Sequence, residues 1–191
     1  MLGVVFTEFI ESVERGYGLA VADRVQCVCP AHIGFTAVGN YDHGQLVSMI
    51  GKLSEETDVP VANLIRQFGR QIFQSFLNTR PETFQGIRST PQLLETVENT
   101  VHVDVLSIYP NAELPKLSFP PHGENEFRLE YQSSRPFAEL AHGILEASIE
   151  YFQEHWQVTR HDLDGPVGTH ALFVFSFPSD STNRLRPEHR E

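Results

Sequence analysis

Glu126-Phe127-Arg128-Leu129-Glu130-Tyr131-Gln132, followed by Ser133-Ser134-Arg135-Pro136, is the stretch that decides the fold of this chain. From Glu126 to Gln132, apolar or aromatic residues alternate strictly with charged or amide ones, which predicts a β-strand. Phe127, Leu129 and Tyr131 share one face of that strand. We therefore expect the strand to be half-buried, with this face toward the core.

The sequence around this strand predicts the rest of a small sheet. Pro136 opens an amphipathic helical pattern. The ranges 156–161 and 171–177 read as two further strands, and the second is apolar enough to be central. Residues 117–119 could add an edge strand.

The first half of the chain has the periodicity of helices instead. Apolar residues recur at helical spacing from Leu2 onward, and a second helix is expected over 19–29, ending near Pro30. Further helices are expected after a cap at Asp42, after Pro60, and from Thr90-Pro91 to about Tyr109-Pro110, with Thr90 as the N-cap. Helices first and an antiparallel sheet afterwards predict the α+β class, with an N-terminal helical subdomain and a C-terminal subdomain of sheet and packed helices.

Length and charge restrict the function. The 191 residues suit a single domain, expected over 1–178, with a helical part over about 1–65, a helix-and-sheet part over 66–178 and a flexible polar tail over 179–191. The net charge of −11 argues against nucleic acid or an anionic membrane as partner. Neither a membrane span nor a signal peptide is evident, so a cytoplasmic location is expected.

The only cysteines, Cys27 and Cys29, are separated by one residue. This spacing is poor for a disulfide and lacks the pattern that attaches c-type heme. Reduced thiols on a helix are the simpler interpretation, and a redox or metal role is the alternative.

The alternating strand ends in polar residues that could bind a ligand. Continuing its period brings Ser133 and Arg135 onto the face of Tyr131, so the three span roughly 13 Å. A core-facing arginine needs a counter-charge, and a guanidinium binds a carboxylate with two parallel hydrogen bonds. The alternative is a strand end that emerges into solvent, with Arg135 paired to a surface acid.

His102 is the second candidate. It shares a face of its predicted helix with Val105, Leu106 and Tyr109. A neutral imidazole with apolar neighbours could ligate a heme iron. A hydrogen-bonded core histidine has the same pattern.

Together these residues resemble the heme nitric oxide/oxygen binding (H-NOX) family, which is related to the heme domain of soluble guanylate cyclase. Tyr131-Gln132-Ser133-Ser134-Arg135 matches its Tyr-x-Ser-x-Arg motif, and the segment from His102 to Tyr109-Pro110 is similar to its proximal-histidine segment. Three other stretches are also similar, namely Gly3-Val4-Val5-Phe6, the range 37–43 and Glu113-Leu114-Pro115. The resemblance covers about residues 1–178.

The resemblance implies a non-covalent heme b buried between the two subdomains. His102 would be the iron ligand and Pro115 would press on the porphyrin. The motif side chains would bind the propionates: Tyr131, Ser133 and Arg135. The distal wall would be formed by five residues: Val5, Phe9, Gln74, Leu140 and Ile144.

The resemblance also implies a choice of gas and a partner. Members that hold oxygen place a tyrosine hydroxyl over it, and the equivalent residue here is Leu140. Nitric oxide and carbon monoxide would therefore bind, and oxygen would lack a hydrogen bond worth about 1.5–3 kcal/mol. Gln74 and His142 are possible donors that oppose this interpretation. The partner in trans would be a sensor histidine kinase or a cyclic-di-GMP enzyme.

Two other classes remain as alternatives. A heme enzyme would need a distal acid–base pair, which Val5, Phe9 and Leu140 do not supply. A heme-free interaction module would leave His102 in the core and Arg135 at the surface. A cysteine-rich zinc site of some relatives is not expected, because no cysteine follows Cys29.

Overall fold

The computed structural model describes residues 1–29 and 34–178. The α-helices are α1 (Gly3–Tyr17), α2 (Leu19–Gln26), α3 (His43–Thr57), α4 (Val61–Thr79), α5 (Thr90–Thr96), α6 (His102–Ile108) and α7 (Ala138–Tyr151). The strands are β1 (Lys116–Ser118), β2 (Glu126–Gln132), β3 (Gln157–Asp162) and β4 (His170–Ser176). The predicted α+β class is confirmed. No helix within the described ranges is long and apolar enough to cross a membrane.

Helix ends follow local hydrogen bonding, with some differences from prediction. The Asp42 carboxylate accepts from the backbone N–H of Gly44 and caps α3, as expected. The N-cap of α5 is Ser89 rather than Thr90, because the Ser89 hydroxyl accepts from the backbone N–H of Gln92. The second helix ends at Gln26, three residues earlier than predicted, and Pro30 and the tail 179–191 lie outside the described residues.

The helix predicted from Thr90 onward is not uniformly α-helical. Between α5 and α6, residues Val97–Val101 form a π-helical turn, and His102 follows it directly. Such turns occur often at functional sites. The periodicity of apolar residues did not predict this turn.

The sheet is antiparallel with the order β1-β2-β4-β3. The predicted edge position of β1 and central position of β4 are confirmed. Phe127, Leu129 and Tyr131 are buried on the face of β2 that meets α7, as the alternation predicts.

Two main hydrophobic cores lie on either side of α4 and α7. The first core joins α1, α2, α3, α4 and Phe137, and the second joins the inner face of the sheet to Leu145 and Ile149 of α7. Helix α4 runs unbroken through residues 65 and 66, where the subdomain boundary is predicted.

Helices α4 and α7 approach each other closely where two glycines face the opposite backbone. A Cβ on Gly69 would lie 2.1 Å from the carbonyl oxygen of Leu140, and one on Gly143 would lie 2.0 Å from that of Arg66. Both distances are far inside van der Waals contact, so only glycine fits at these positions.

Candidate functional site

The exit of β2 brings the three predicted polar side chains together. Tyr131 is 4% exposed and Arg135 is 9% exposed, while Ser133 between them is half-buried. The backbone N–H of Ser133 donates to the carbonyl of Thr169 at 2.8 Å, which keeps the chain beside the start of β4. Arg135 therefore stays at the core although β2 itself ends at Gln132.

Arg135 is bound on one side only. Its Nη1 donates to the backbone carbonyl of Glu113 at 2.7 Å, and its Nη2 lies 3.1 Å from the carboxylate of the same residue. The Glu113 side chain is 64% exposed. The alternative prediction, that Arg135 pairs with a surface acid, therefore describes the contact of Nη2 with this carboxylate.

The Nε atom of Arg135 is buried and, within the described part of the chain, has no hydrogen-bond partner. A buried donor without a partner costs about 1–3 kcal/mol. A ligand carboxylate at this atom would remove that cost. The residues therefore fit a carboxylate-bearing group such as a heme propionate.

The electrostatics of the row suit an anion as well. Burial raises the pKa of Tyr131, against smaller opposing effects of the Ser133 hydroxyl and the Arg135 charge. The phenol therefore stays protonated and can donate. A hydrogen bond from Ser134 and the charge of Arg135 lower the pKa of Glu113.

His102 is oriented by an acid one helical turn before it. Its Nδ1 lies 3.0 Å from Oε2 of Glu98, and that same oxygen accepts from the backbone N–H of Leu117 at 3.1 Å. An ionised carboxylate only accepts, so Nδ1 carries a hydrogen, and in the neutral imidazole Nε2 then keeps its lone pair. Among the described residues Nε2 has no hydrogen-bond partner. This is the tautomer that a metal ligand needs.

Strand β1 connects this histidine to the polar row. Leu117, which donates to Glu98, is paired with Tyr131 in the sheet register. Pro115 lies just before β1 and is half-buried. Glu98 therefore links the His102 helix to the edge strand that is paired with Tyr131.

Four of the five residues predicted for the distal wall share one environment. Phe9 belongs to the first core, and Val5, Leu140 and Ile144 pack against it. Gln74 is exposed on α4. The lining roles of all five stay predictions.

His142, the other possible distal donor, is engaged elsewhere. Its Nδ1 accepts from Nη2 of Arg66 at 2.8 Å, and its ring packs edge-on against Phe173 of β4. Burial and then the Arg66 charge lower the pKa of His142. These contacts hold the ring between α4 and the sheet.

One cavity in the described part of the chain lies apart from the polar row of Tyr131, Ser133 and Arg135. An open cavity of about 270 Å³ lies between α1, α3 and α4, and of the predicted site residues only Phe9 lines it. No group of three metal-ligating side chains is found in residues 1–29 and 34–178. Both Cys27 and Cys29 are free thiols, but they lie after the end of α2 and not on a helix as predicted.

Sequence reasoning missed Glu98 and the role of Glu113. The signal for Glu98 was available, since an acid four residues before a helical histidine lies on the same face. Glu113 gave no such signal, because its contact with Arg135 spans 22 residues of chain.

The comparisons with known proteins identify the family of this chain. The sequence profile of the family described as Haem-NO-binding matches residues 2–160. No curated protein sequence matches the chain significantly.

Solved structures of H-NOX proteins share the fold. The Shewanella woodyi protein, with IWP-051 bound and in the Fe(II)CO state, is 34% identical with a TM-score of 0.80, covering 97% of this chain and 99% of that one. The Fe(II) unliganded protein from K. algicida is 26% identical with a TM-score of 0.83, covering 92% and 96%. The S. oneidensis protein in the Fe(II)NO state, at 17% identity and a TM-score of 0.81 over 94% and 100%, supports the fold alone. With the profile spanning most of its length, the chain belongs to the Haem-NO-binding family of heme-based gas sensors.

Proposed function

We propose that this chain is a nitric oxide sensor that binds heme b without a covalent link. His102 would ligate the iron, and Tyr131, Ser133 and Arg135 would hold the propionates. The observation that carries the proposal is a pair of nitrogens that lack hydrogen-bond partners among the described residues, the buried Nε of Arg135 and Nε2 of His102. Strand β1 connects the two regions, because Leu117 donates to Glu98 and pairs with Tyr131. The heme would supply a ferrous iron that binds nitric oxide or carbon monoxide and, with nitric oxide, loosens its bond to His102.

The apolar surroundings of Val5, Phe9, Leu140 and Ile144 support selection against oxygen. Bound oxygen is stabilised by a hydrogen-bond donor, whereas nitric oxide binds ferrous heme without one. Leu140 offers no donor, and His142 is held by Arg66 and Phe173. We therefore infer that the ferrous state persists in air.

We propose that binding of the gas is signalled to a separate protein and that this chain does not itself catalyse a reaction. The distal residues contain no acid–base pair, which argues against a heme enzyme. A sensor histidine kinase or a cyclic-di-GMP enzyme in the cytoplasm is the proposed partner class. Release of His102 would shift the segment from Val97 to Ile108, which changes the surface that a partner meets.

The test is the visible spectrum of the purified ferrous protein in air, then under carbon monoxide, then under nitric oxide. We expect one heme per chain, a spectrum unchanged by air, and a five-coordinate complex with nitric oxide. His102→Gly should lose the histidine-ligated spectrum and regain it with added imidazole. Absence of a Soret band despite adequate heme supply would support the heme-free interaction module instead.

A matched pair of arginines tests the propionate site. Arg135→Leu should weaken heme binding about 10- to 100-fold, the worth of a charged hydrogen bond. Arg128→Leu removes the same charge from the opposite face of β2, where Arg128 pairs with Glu126, and should leave heme affinity unchanged. Equal losses in the two variants would contradict the assignment of Arg135.

A further inference from the structure

Glu98 occupies a position from which it can control the ligand strength of His102. A single carboxylate oxygen, Oε2, accepts from Nδ1–H of the imidazole at 3.0 Å and from the backbone N–H of Leu117 at 3.1 Å. The side chain of His102 is 16% exposed and that of Glu98 is 26% exposed, so water competes only in part for these contacts. Glu98 lies in the π-helical turn that directly precedes His102.

The charge of the acceptor matters for the ring nitrogen opposite it. A carboxylate that accepts from one imidazole nitrogen draws the proton toward itself and increases the basicity of the other nitrogen. It also fixes the tautomer and the direction of the ring. Nε2 of His102 is therefore expected to be a stronger electron donor than an imidazole bonded to a neutral acceptor.

We propose, as an extension of the proposed function, that Glu98 is a positioning residue that sets the strength of the bond between His102 and the iron. Through Leu117, the same carboxylate ties the imidazole to β1 and so to the strand that follows Pro115. Glu98 would therefore make the iron–histidine bond harder for a bound gas to loosen, because it strengthens His102 as a ligand and holds the imidazole to the sheet.

Two substitutions separate charge from space filling. Glu98→Gln keeps the shape and an acceptor oxygen but removes the charge, and Glu98→Leu removes the acceptor as well. In the heme-loaded ferrous chain we expect the iron–histidine stretching frequency to fall from wild type to Gln to Leu. The heme reduction potential should rise in the same order, because a weaker donor stabilises ferric iron less. Loss of such a partner of a metal ligand typically lowers affinity by about tenfold or more.

The chain contains a control pair of the same chemistry. Nε2 of His170 lies 2.7 Å from Oε1 of Glu130 on the sheet, a histidine–glutamate pair outside the proposed site. Glu130→Gln should leave the stretching frequency and the potential at their wild-type values. Unchanged values in both Glu98 variants, in a chain that still binds heme through His102, would overturn the role of Glu98 and leave the proposed function standing.

A second measurement works even where a Glu98 variant binds heme poorly. In His102→Gly, free imidazole can donate a hydrogen bond to Glu98, whereas N-methylimidazole cannot. We expect imidazole to bind the heme more tightly than N-methylimidazole. This preference should shrink in the double variant with Glu98→Gln, which keeps an acceptor oxygen, and disappear in the double variant with Glu98→Leu. An equal preference in single and double variants would overturn the proposal.

Apo protein gives a readout independent of heme. Ring ¹⁵N shifts of His102 should report a hydrogen fixed on Nδ1 in wild type and a mixture of tautomers in Glu98→Leu. Mixed tautomers already in the wild type would contradict the geometry on which the proposal rests.

Discussion

At the start of the helix that carries His102, Leu93 and Leu94 are buried against neighbouring cores, and the hydroxyl of Thr90 donates to Ser148 of α7 at 3.2 Å. Beyond the π-helical turn the packing is different. None of the residues from Val97 to Ile108, all of which the structure describes, is buried, and Leu106 is 41% exposed. Segments with few buried contacts open at low cost in free energy. The comparison indicates that α5 is the fixed end of this helix and that α6, with His102, is the end that can shift.

The largest expected effect comes from removing a leucine at each end. Leu93→Ala should lower the free energy of unfolding by about 3 kcal/mol, because it leaves a cavity in a packed core. Leu106→Ala should cost less, about 1 kcal/mol at most, since 41% of that residue is exposed to water. Urea unfolding of the two variants measures both values, and equal losses would contradict the division into fixed and movable ends.

A smaller effect is expected where α7, which supports α5, meets α4. Gly143→Ala forces a Cβ against the carbonyl of Arg66 and should cost about 2 kcal/mol through overpacking. Gly51 of α3 provides the control, because a Cβ there meets no atom within 4 Å. Gly51→Ala should instead stabilise the chain by about 0.5–1 kcal/mol through helix propensity. If Gly143→Ala stabilises the chain, α4 and α7 are packed less closely at this position than the structure indicates.

The smallest effect is a pH dependence of the same α4–α7 contact. The pKa of His142 is lowered in the native state by burial and Arg66, so the unfolded chain binds the proton more readily. The resulting stabilisation is present above the ordinary histidine pKa of about 6.5 and is lost as the pH falls through the lowered value. His142→Gln should therefore lose less thermal stability than wild type between neutral and mildly acidic pH.

His170 provides a control of opposite sign. A hydrogen bond with Glu130 raises the pKa of His170, so its stabilisation is present below about pH 6.5 and is lost as the pH rises through the raised value. His170→Gln should make the acid loss of melting temperature steeper than in wild type. If the melting temperature falls equally steeply with decreasing pH in both variants, the structure's account of His142 is wrong.

Much of this architecture could be predicted from sequence because it depends on period and on local chemistry. The alternation from Phe127 to Tyr131 and the cap at Asp42 are local signals, and both agree with the structure. The pairing of Arg135 with Glu113 and the donation from Leu117 to Glu98 depend on tertiary contacts that no local pattern contains. The burial of Arg135 followed from extending the strand period past Gln132, although the regular strand itself stops there.

The π-helical turn has a consequence for aligning this chain with its relatives. A π turn accommodates one residue more than an α turn, so side chains after Val101 are rotated by about 100° from where a continuous α-helix would place them. Apolar stripes on the two sides of the turn are therefore out of phase. In a relative with one residue fewer between Thr96 and His102, an unbroken α-helix would point the imidazole in the same direction. An alignment without a gap at this place would then match every residue on one side of the turn to the wrong residue of that relative.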